Sequence, residues 1–190
     1  MYTVRPNDPT MKGELFIRYA EASALMPSLQ FSYFPWNYGE HTKKAVLNCA
    51  MLHKALEPYV RELCKDTTAP IIRPIWYGNE SNSELYTVKG EFMLGNDLLA
   101  APILDSGIKE KTVVLPSGTW LDIYSGNEIE GEITVAVKCP MIPIYIRKGN
   151  EKLYNAVSAV MKGYTDSTIL PDEVTATYKA GVDRSTAKTG

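Results

Sequence analysis

Carboxylates are the natural starting point for chemistry, because two of them facing one substrate can serve as acid, base or nucleophile. Asp97 lies in Gly95-Asn96-Asp97, Asp105 opens an Asp-Ser-Gly sequence, and Asp122 sits beside Trp120 on an extended run. At the Gly95-Asn96-Asp97 turn a short acid caps its own backbone, and all three acids read as scaffold. Cys49 and His53 are spaced to share one helix face, as two metal ligands would. No second pair at ligand spacing follows, and Cys49 falls on an apolar stripe. The pair reads as a buried thiol beside a histidine, with neither metal nor other cofactor expected. Asn79-Glu80-Ser81 is a glycosylation sequon in a polar loop, usable only in a secretory or luminal setting. There is no Gly-rich phosphate loop and no Gly-x-Ser-x-Gly nucleophile elbow. The densest chemical feature is aromatic: Phe31, Tyr33, Phe34, Trp36 and Tyr38 crowd one short loop.

The elements that would position these residues fall into three sections. Residues 7 to 64 read as helical. Asp8-Pro9-Thr10 is a helix start, with Pro tolerated in the first turn. Leu15, Tyr19, Ala22 and Met26 then recur at helical spacing until Pro27. After the aromatic loop a second helix starts near Thr42, with Val46, Cys49, Leu52, Leu56, Val60 and Leu63 on one face. Pro58 falls within it and should kink or divide it. From Ala69 the pattern turns to strands. Ile71 to Tyr77 is apolar without alternation, as a buried parallel strand would be, and Leu98 to Leu104 is similar. Thr112 to Leu115, Trp120 to Tyr124 and Ile133 to Lys138 are short strands, separated by the turn signals Ser117-Gly118 and Ser125-Gly126. Short, regularly spaced strands with Gly turns predict a small antiparallel β-sandwich. Beyond Gly149, Leu153, Val157 and Val160 or Met161 mark a short helix. Pro171 to Lys179 marks another, and the end is small and polar.

Composition sets ordinary bounds. The chain has 190 residues, 45% of them hydrophobic and 22% charged, with a net charge of −2. That balance gives no basic field for nucleic acid or an acidic membrane, so no nucleic-acid partner is expected. Three cysteines at uninformative spacings argue against a disulfide framework. Met1-Tyr-Thr-Val-Arg-Pro does not read as a signal peptide, and the compartment stays open.

Several blocks in fixed order then carry a resemblance. Glu14-Leu-Phe-Ile-Arg18-Tyr19, Ala24 to Trp36 (ALMPSLQFSYFPW), the helix around HKALEPYVREL and Pro70 to Tyr77 come first. GEFMLGNDLLAAPIL, VVLPSGTWLDIYSG and MIPIYIRKG follow. Over residues 3 to 149 they resemble glycoside hydrolase family 31, the retaining α-glycosidases. The resemblance implies the C-terminal part of a (β/α)8 barrel at residues 1–89 and the proximal β-sandwich at 90–149. Residues 150–190 are unlike the family and read as a divergent helical or disordered tail.

Within that resemblance the family's substrate-binding Arg-x-His is replaced by Gln30-Phe31-Ser32. Gln30 and Ser32 can still exchange hydrogen bonds with hydroxyls. Without an imidazole, the preference points away from glucose and towards galactose-type sugars. Trp36 and Tyr33 are candidates for stacking on a sugar ring. The resemblance also implies what is missing. Retaining glycosidases flank the scissile bond with two carboxyl groups about 5 Å apart, and the family's Trp-x-Asp-Met-Asn-like strand and its second aspartate have no counterpart here. Catalytic residues are therefore expected to be none in this chain. The partners implied are a carbohydrate substrate and the N-terminal barrel portion of the same enzyme. The alternative is a non-catalytic module that binds a glycan or a protein.

Overall fold

A computed structural model describes residues 13–105 and 107–165; the predicted start at Asp8 to Thr10 and the predicted helix at 171–179 lie outside these. Helix α1 spans Gly13–Ala24 and α2 spans Gly39–Leu63, with a 3-10 turn at Pro35–Tyr38 leading into α2. The buried side of α1 is Phe16, Ile17, Ala20 and Ala24. Leu15 and Tyr19, expected inside, are instead 51% and 57% exposed. Two apolar stripes at the same helical period run along α1, and periodicity alone cannot rank them. Helix α2 buries Val46, Cys49, Leu52 and Leu56 as expected, and Val60 and Leu63 pack at its margin. It starts earlier than Thr42 and runs on past Pro58. Pro58 is exposed, so the carbonyl one turn back, deprived of its N–H partner, can be met by water.

Strands β1 (Ile72–Arg73), β2 (Phe92–Leu94), β3 (Leu98–Ala100), β5 (Trp120–Asp122), β6 (Glu128–Ile129) and β8 (Ile144–Arg147) form one sheet. Their order is β1-β2-β3-β8-β5-β6, and every pairing is antiparallel. Strands β4 (Glu110–Val114) and β7 (Glu132–Ala136) make a separate antiparallel pair. The parallel strand expected over 71–77 is thus corrected. Only Ile72 and Arg73 join a ladder, and it is antiparallel to β2. Pro74 lacks an N–H to continue the ladder, and the chain turns at once, Tyr77 N–H donating to Pro74 O and Asn79 N–H to Trp76 O.

The apolar runs that suggested parallel strands have another cause: this antiparallel sheet is buried on both faces. Leu98, Ala100, Ile144 and Ile146 turn to one core, shared with α1, α2 and α3 (Glu151–Thr165). Leu99, Ala101 and Tyr145 turn to a second core with Trp120, and with Val113 and Leu115 from the β4 region. Successive side chains point to opposite faces, so a strand covered on both sides is apolar at every position. The tail helix belongs to the first core through Leu153, Val157 and Met161. Among the described residues, no helix is long and apolar enough to cross a membrane.

Glu91 ties the two sheets together. Its carboxyl accepts from the Val114 N–H of β4, at 3.3 and 3.4 Å for its two oxygens, from a position just before β2. Burial pushes the Glu91 carboxyl up to about 7 from its ordinary 4.5, opposed by Lys111 and the Val114 N–H and reinforced by Glu132. The folded state therefore holds this proton more tightly than the unfolded chain. Stability from this group is full below pH 4.5, falls as pH rises through about 7, and levels off above it. After allowance for partial exposure, the loss is about 1–2 kcal/mol. Urea melts at pH 5 and pH 8 should differ by that amount, and Glu91→Gln should flatten the difference.

Candidate functional site

The aromatic loop between α1 and α2 is sorted by burial. Phe16 of α1 is its hub, with edge-on ring contacts to Phe31 (6.1 Å), Tyr33 (6.5 Å) and Tyr38 (5.1 Å). Tyr33 and Tyr38 are buried and meet each other at 6.5 Å. Tyr33, a sequence candidate for sugar stacking, is therefore spent on holding the loop down. Trp36 is 59% exposed and lies parallel to Phe34, equally exposed, with ring centres 4.8 Å apart and planes 14° apart. Gln30 and Ser32 are also exposed on this loop. The three predicted contact residues thus lie on the open surface of one loop whose buried rings fix its course. Phe34 was missed from sequence. Its ring meets Trp36 at the entry of the 3-10 turn Pro35–Tyr38, a placement no strand or helix period describes.

Asp122 holds its own turn, and Asp97 ties the β2–β3 turn to Asn150. Asp122 Oδ1 accepts from the N–H groups of Tyr124 (2.7 Å) and Ser125 (3.0 Å). Asp97 Oδ2 accepts from Asn150 Nδ2 at 3.0 Å, while the Asp97 N–H donates to the Tyr59 hydroxyl at 3.1 Å. That hydroxyl in turn donates to Leu94 O at 3.1 Å, locking α2 onto the β2–β3 turn. Burial and the nearby Asp97 push the Tyr59 phenol up to about 12, so it stays protonated as a donor. Gly95 in this turn has φ +61°, and a Cβ there would run into the Tyr59 hydroxyl and Leu63.

The Cys49 and His53 pair is part of the packing between α1 and α2. Cys49 is buried, and His53 Nδ1 lies 3.0 Å from Ala24 O. Burial pushes the Cys139 thiol up to about 12, which leaves it a poor nucleophile. Among the described residues, no group of three or more His, Cys, Asp or Glu is placed to hold a metal. Exposed aromatic, amide and hydroxyl groups share the surface of the loop between α1 and α2.

Comparison with known proteins decides the family. The Glycosyl hydrolase family 31 C-terminal domain matches residues 68–150. The chain carries a glycosyl hydrolase family 31 C-terminal domain. The family 31 likeness reaches beyond those residues. A 1,3-alpha-isomaltosidase of Kribbella flavida is 31% identical over 73% of this chain, which is 22% of that protein. A myogenesis-regulating glycosidase of Mus musculus is 35% identical over 65% of this chain and 18% of its own length. In three dimensions the chain is similar to a Kfla1895 mutant in complex with isomaltose, with a TM-score of 0.71 at 27% identity. That match covers 79% of this chain and 24% of the other. The chain thus spans about a fifth of the length of the curated relatives it matches.

Proposed function

We propose that this chain is the C-terminal portion of the catalytic unit of a retaining α-glycosidase that hydrolyses O-glycosyl bonds. On this reading, residues 1–89 complete the end of a (β/α)8 barrel and 90–149 form the proximal sandwich. The tail at 150–190 is a divergent addition. The carboxylate pair comes from polypeptide outside these 190 residues, and Gln30, Ser32 and Trp36 help to line the sugar site of the assembled barrel. The observation that carries the reading is the extent of the structural likeness: 79% of the chain is more than residues 68–150 and everything after them can supply, so part of the helical region before them shares in it. The exposed stripe of Leu15 and Tyr19 on α1 also suits a helix that has neighbours on its outer side.

The purified chain is expected to hydrolyse 4-nitrophenyl α-glucoside, α-galactoside and α-xyloside no faster than buffer. Co-production with a family 31 N-terminal barrel portion should restore turnover, and Trp36→Ala should then weaken it. Turnover by the chain alone, abolished by changing one of its own acids, would sink the proposal. The exposed Phe34–Trp36 stack also favours a second reading, a glycan-binding module without hydrolysis. Sugar binding at that loop by the isolated chain, with no gain from a barrel partner, would select it.

A further inference from the structure

A second aromatic surface lies away from the loop between α1 and α2. After Pro74 the chain makes a tight excursion, Trp76 to Tyr86, that returns on itself. The Trp76 and Tyr86 rings close it, stacked with centres 5.1 Å apart and planes 16° apart. Trp76 packs against the second core, whereas Tyr86 is 50% exposed. Hydrogen bonds hold the loop between them. Asn79 N–H donates to Trp76 O (2.8 Å), Asn82 N–H to Asn79 O (2.9 Å) and the Tyr86 hydroxyl to Glu80 O (3.3 Å). Gly78 N–H donates to Glu80 Oε1 at 2.9 Å, and this bond keeps the exposed carboxylate below its ordinary range. Ser117 Oγ, from the turn before β5, donates to Asn79 Oδ1 at 2.7 Å and fixes the amide.

We infer that Tyr86, backed by Trp76 and flanked by Asn79 and Glu80, is a docking platform for a neutral hexopyranose unit of an oligosaccharide. The surroundings decide the class of ligand. An apolar protein partner needs contiguous apolar surface, but the exposed Tyr86 ring is preceded by exposed Glu80, Ser81, Asn82, Ser83 and Glu84. One rigid aromatic face among amide, hydroxyl and carboxylate groups matches a sugar, whose ring presents a flat C–H face edged by hydroxyls. Asn79 Nδ2 is held only by a 3.5 Å contact to Tyr77 O, so it can donate to a sugar oxygen while Glu80 accepts from a hydroxyl. The negative charges of Glu80 and Glu84 repel uronic or sulfonated sugars. The site is built wholly from this chain and does not depend on the proposed catalytic role.

The test is to titrate maltotriose, with glucuronic acid as the charged probe, into the whole 190-residue chain while following tryptophan fluorescence. Maltotriose should bind with Kd of about 1 mM, as one stacking face with a few hydrogen bonds allows, and glucuronic acid should not bind. Tyr86→Ala should weaken binding at least about tenfold. Glu80→Gln, which leaves the ring pair intact, should weaken it about threefold or more. Leu47→Ser, on the outward face of α2, should leave it unchanged. Absence of saturable binding, equal binding of glucuronic acid, or loss with Trp36→Ala but not with Tyr86→Ala would each overturn the inference. The first of these would mean that the ring pair only pins its loop; the last would leave the proposed function standing.

Discussion

Trp120→Ala is expected to lower stability by about 4 kcal/mol, within the range for emptying an aromatic site in a closed core. Trp120 is fully buried at the start of β5, where it pairs with Ile129 of β6 and Arg147 of β8. Its Nε1–H donates to Pro116 O at 2.8 Å, and the Arg147 guanidinium lies 4.3 Å from the ring centre. That guanidinium is itself placed by bonds to Asn96 O and Ser117 O, so the ring anchors two turns at once. The alanine variant loses packing, a cation–π contact and the partner of a buried carbonyl. For a chain of this size the melting temperature should drop by about 8–16 °C. Trp120→Phe keeps most of the volume and should cost about half as much. Urea denaturation at unchanged m-value reads both; an alanine variant within about 1 kcal/mol of the parent would show that the second core is not closed around this ring.

The other large effect is electrostatic. Arg18 and Glu21 are 8% and 2% exposed, with Nη1 and Oε2 3.3 Å apart on the side of α1 that meets the 139–142 segment. The same Nη1 donates to Met141 O at 3.1 Å, and Glu14 lies 3.9 Å from Nε. Removing one member of a buried pair leaves the other charge in a medium that solvates it poorly. Arg18→Ala should therefore cost about 3–5 kcal/mol. Removing both charges is a different experiment. Arg18→Met with Glu21→Leu should lie within about 1–2 kcal/mol of the parent, since neither charge then has to be desolvated. A double variant as unstable as Arg18→Ala would locate the effect in the lost bond to Met141 O instead. Thermal melts of Arg18→Met, Glu21→Leu and the double complete the cycle.

The sequence allowed some features to be read and hid others for physical reasons. A structural role was legible at Asp122, whose carboxylate holds the turn after β5, whereas Asp97, where a cap on its own backbone was expected, accepts from Asn150 Nδ2 instead. Helical spacing was legible on α2 and in the tail helix, where Leu153, Val157 and Met161 are all buried. The choice of face on α1 was not. Phe16 and Ile17 compete with Leu15 and Tyr19 at the same period, and only packing against the loop rings and the sheet selects between them. Strand direction was also hidden. An unalternating apolar run reports burial on both sides, and here a sheet between helices and a second strand pair provides that without parallel pairing. At the candidate site, Gln30, Ser32 and Trp36 were proposed from the sequence and lie exposed on one loop, while the Phe34–Trp36 stack required the rings to be seen together. The Trp76–Tyr86 pair was invisible, because its two rings are brought together by a loop that no periodicity describes.

The outer strands of the six-stranded sheet, β1 and β6, are two residues each. A foreign strand arriving at either border finds barely one pair of free amide and carbonyl groups to copy, too little to seed a growing ladder. Through this sheet, crowding at high concentration is thereby steered away from fibrous, backbone-templated growth. It is steered towards side-chain adhesion at the outward stripes of α1 and α2, where Leu15, Tyr19, Leu47 and Met51 stand in water. Association of that kind dissolves on dilution and yields to a single well-placed lysine, whereas a templated fibre does neither.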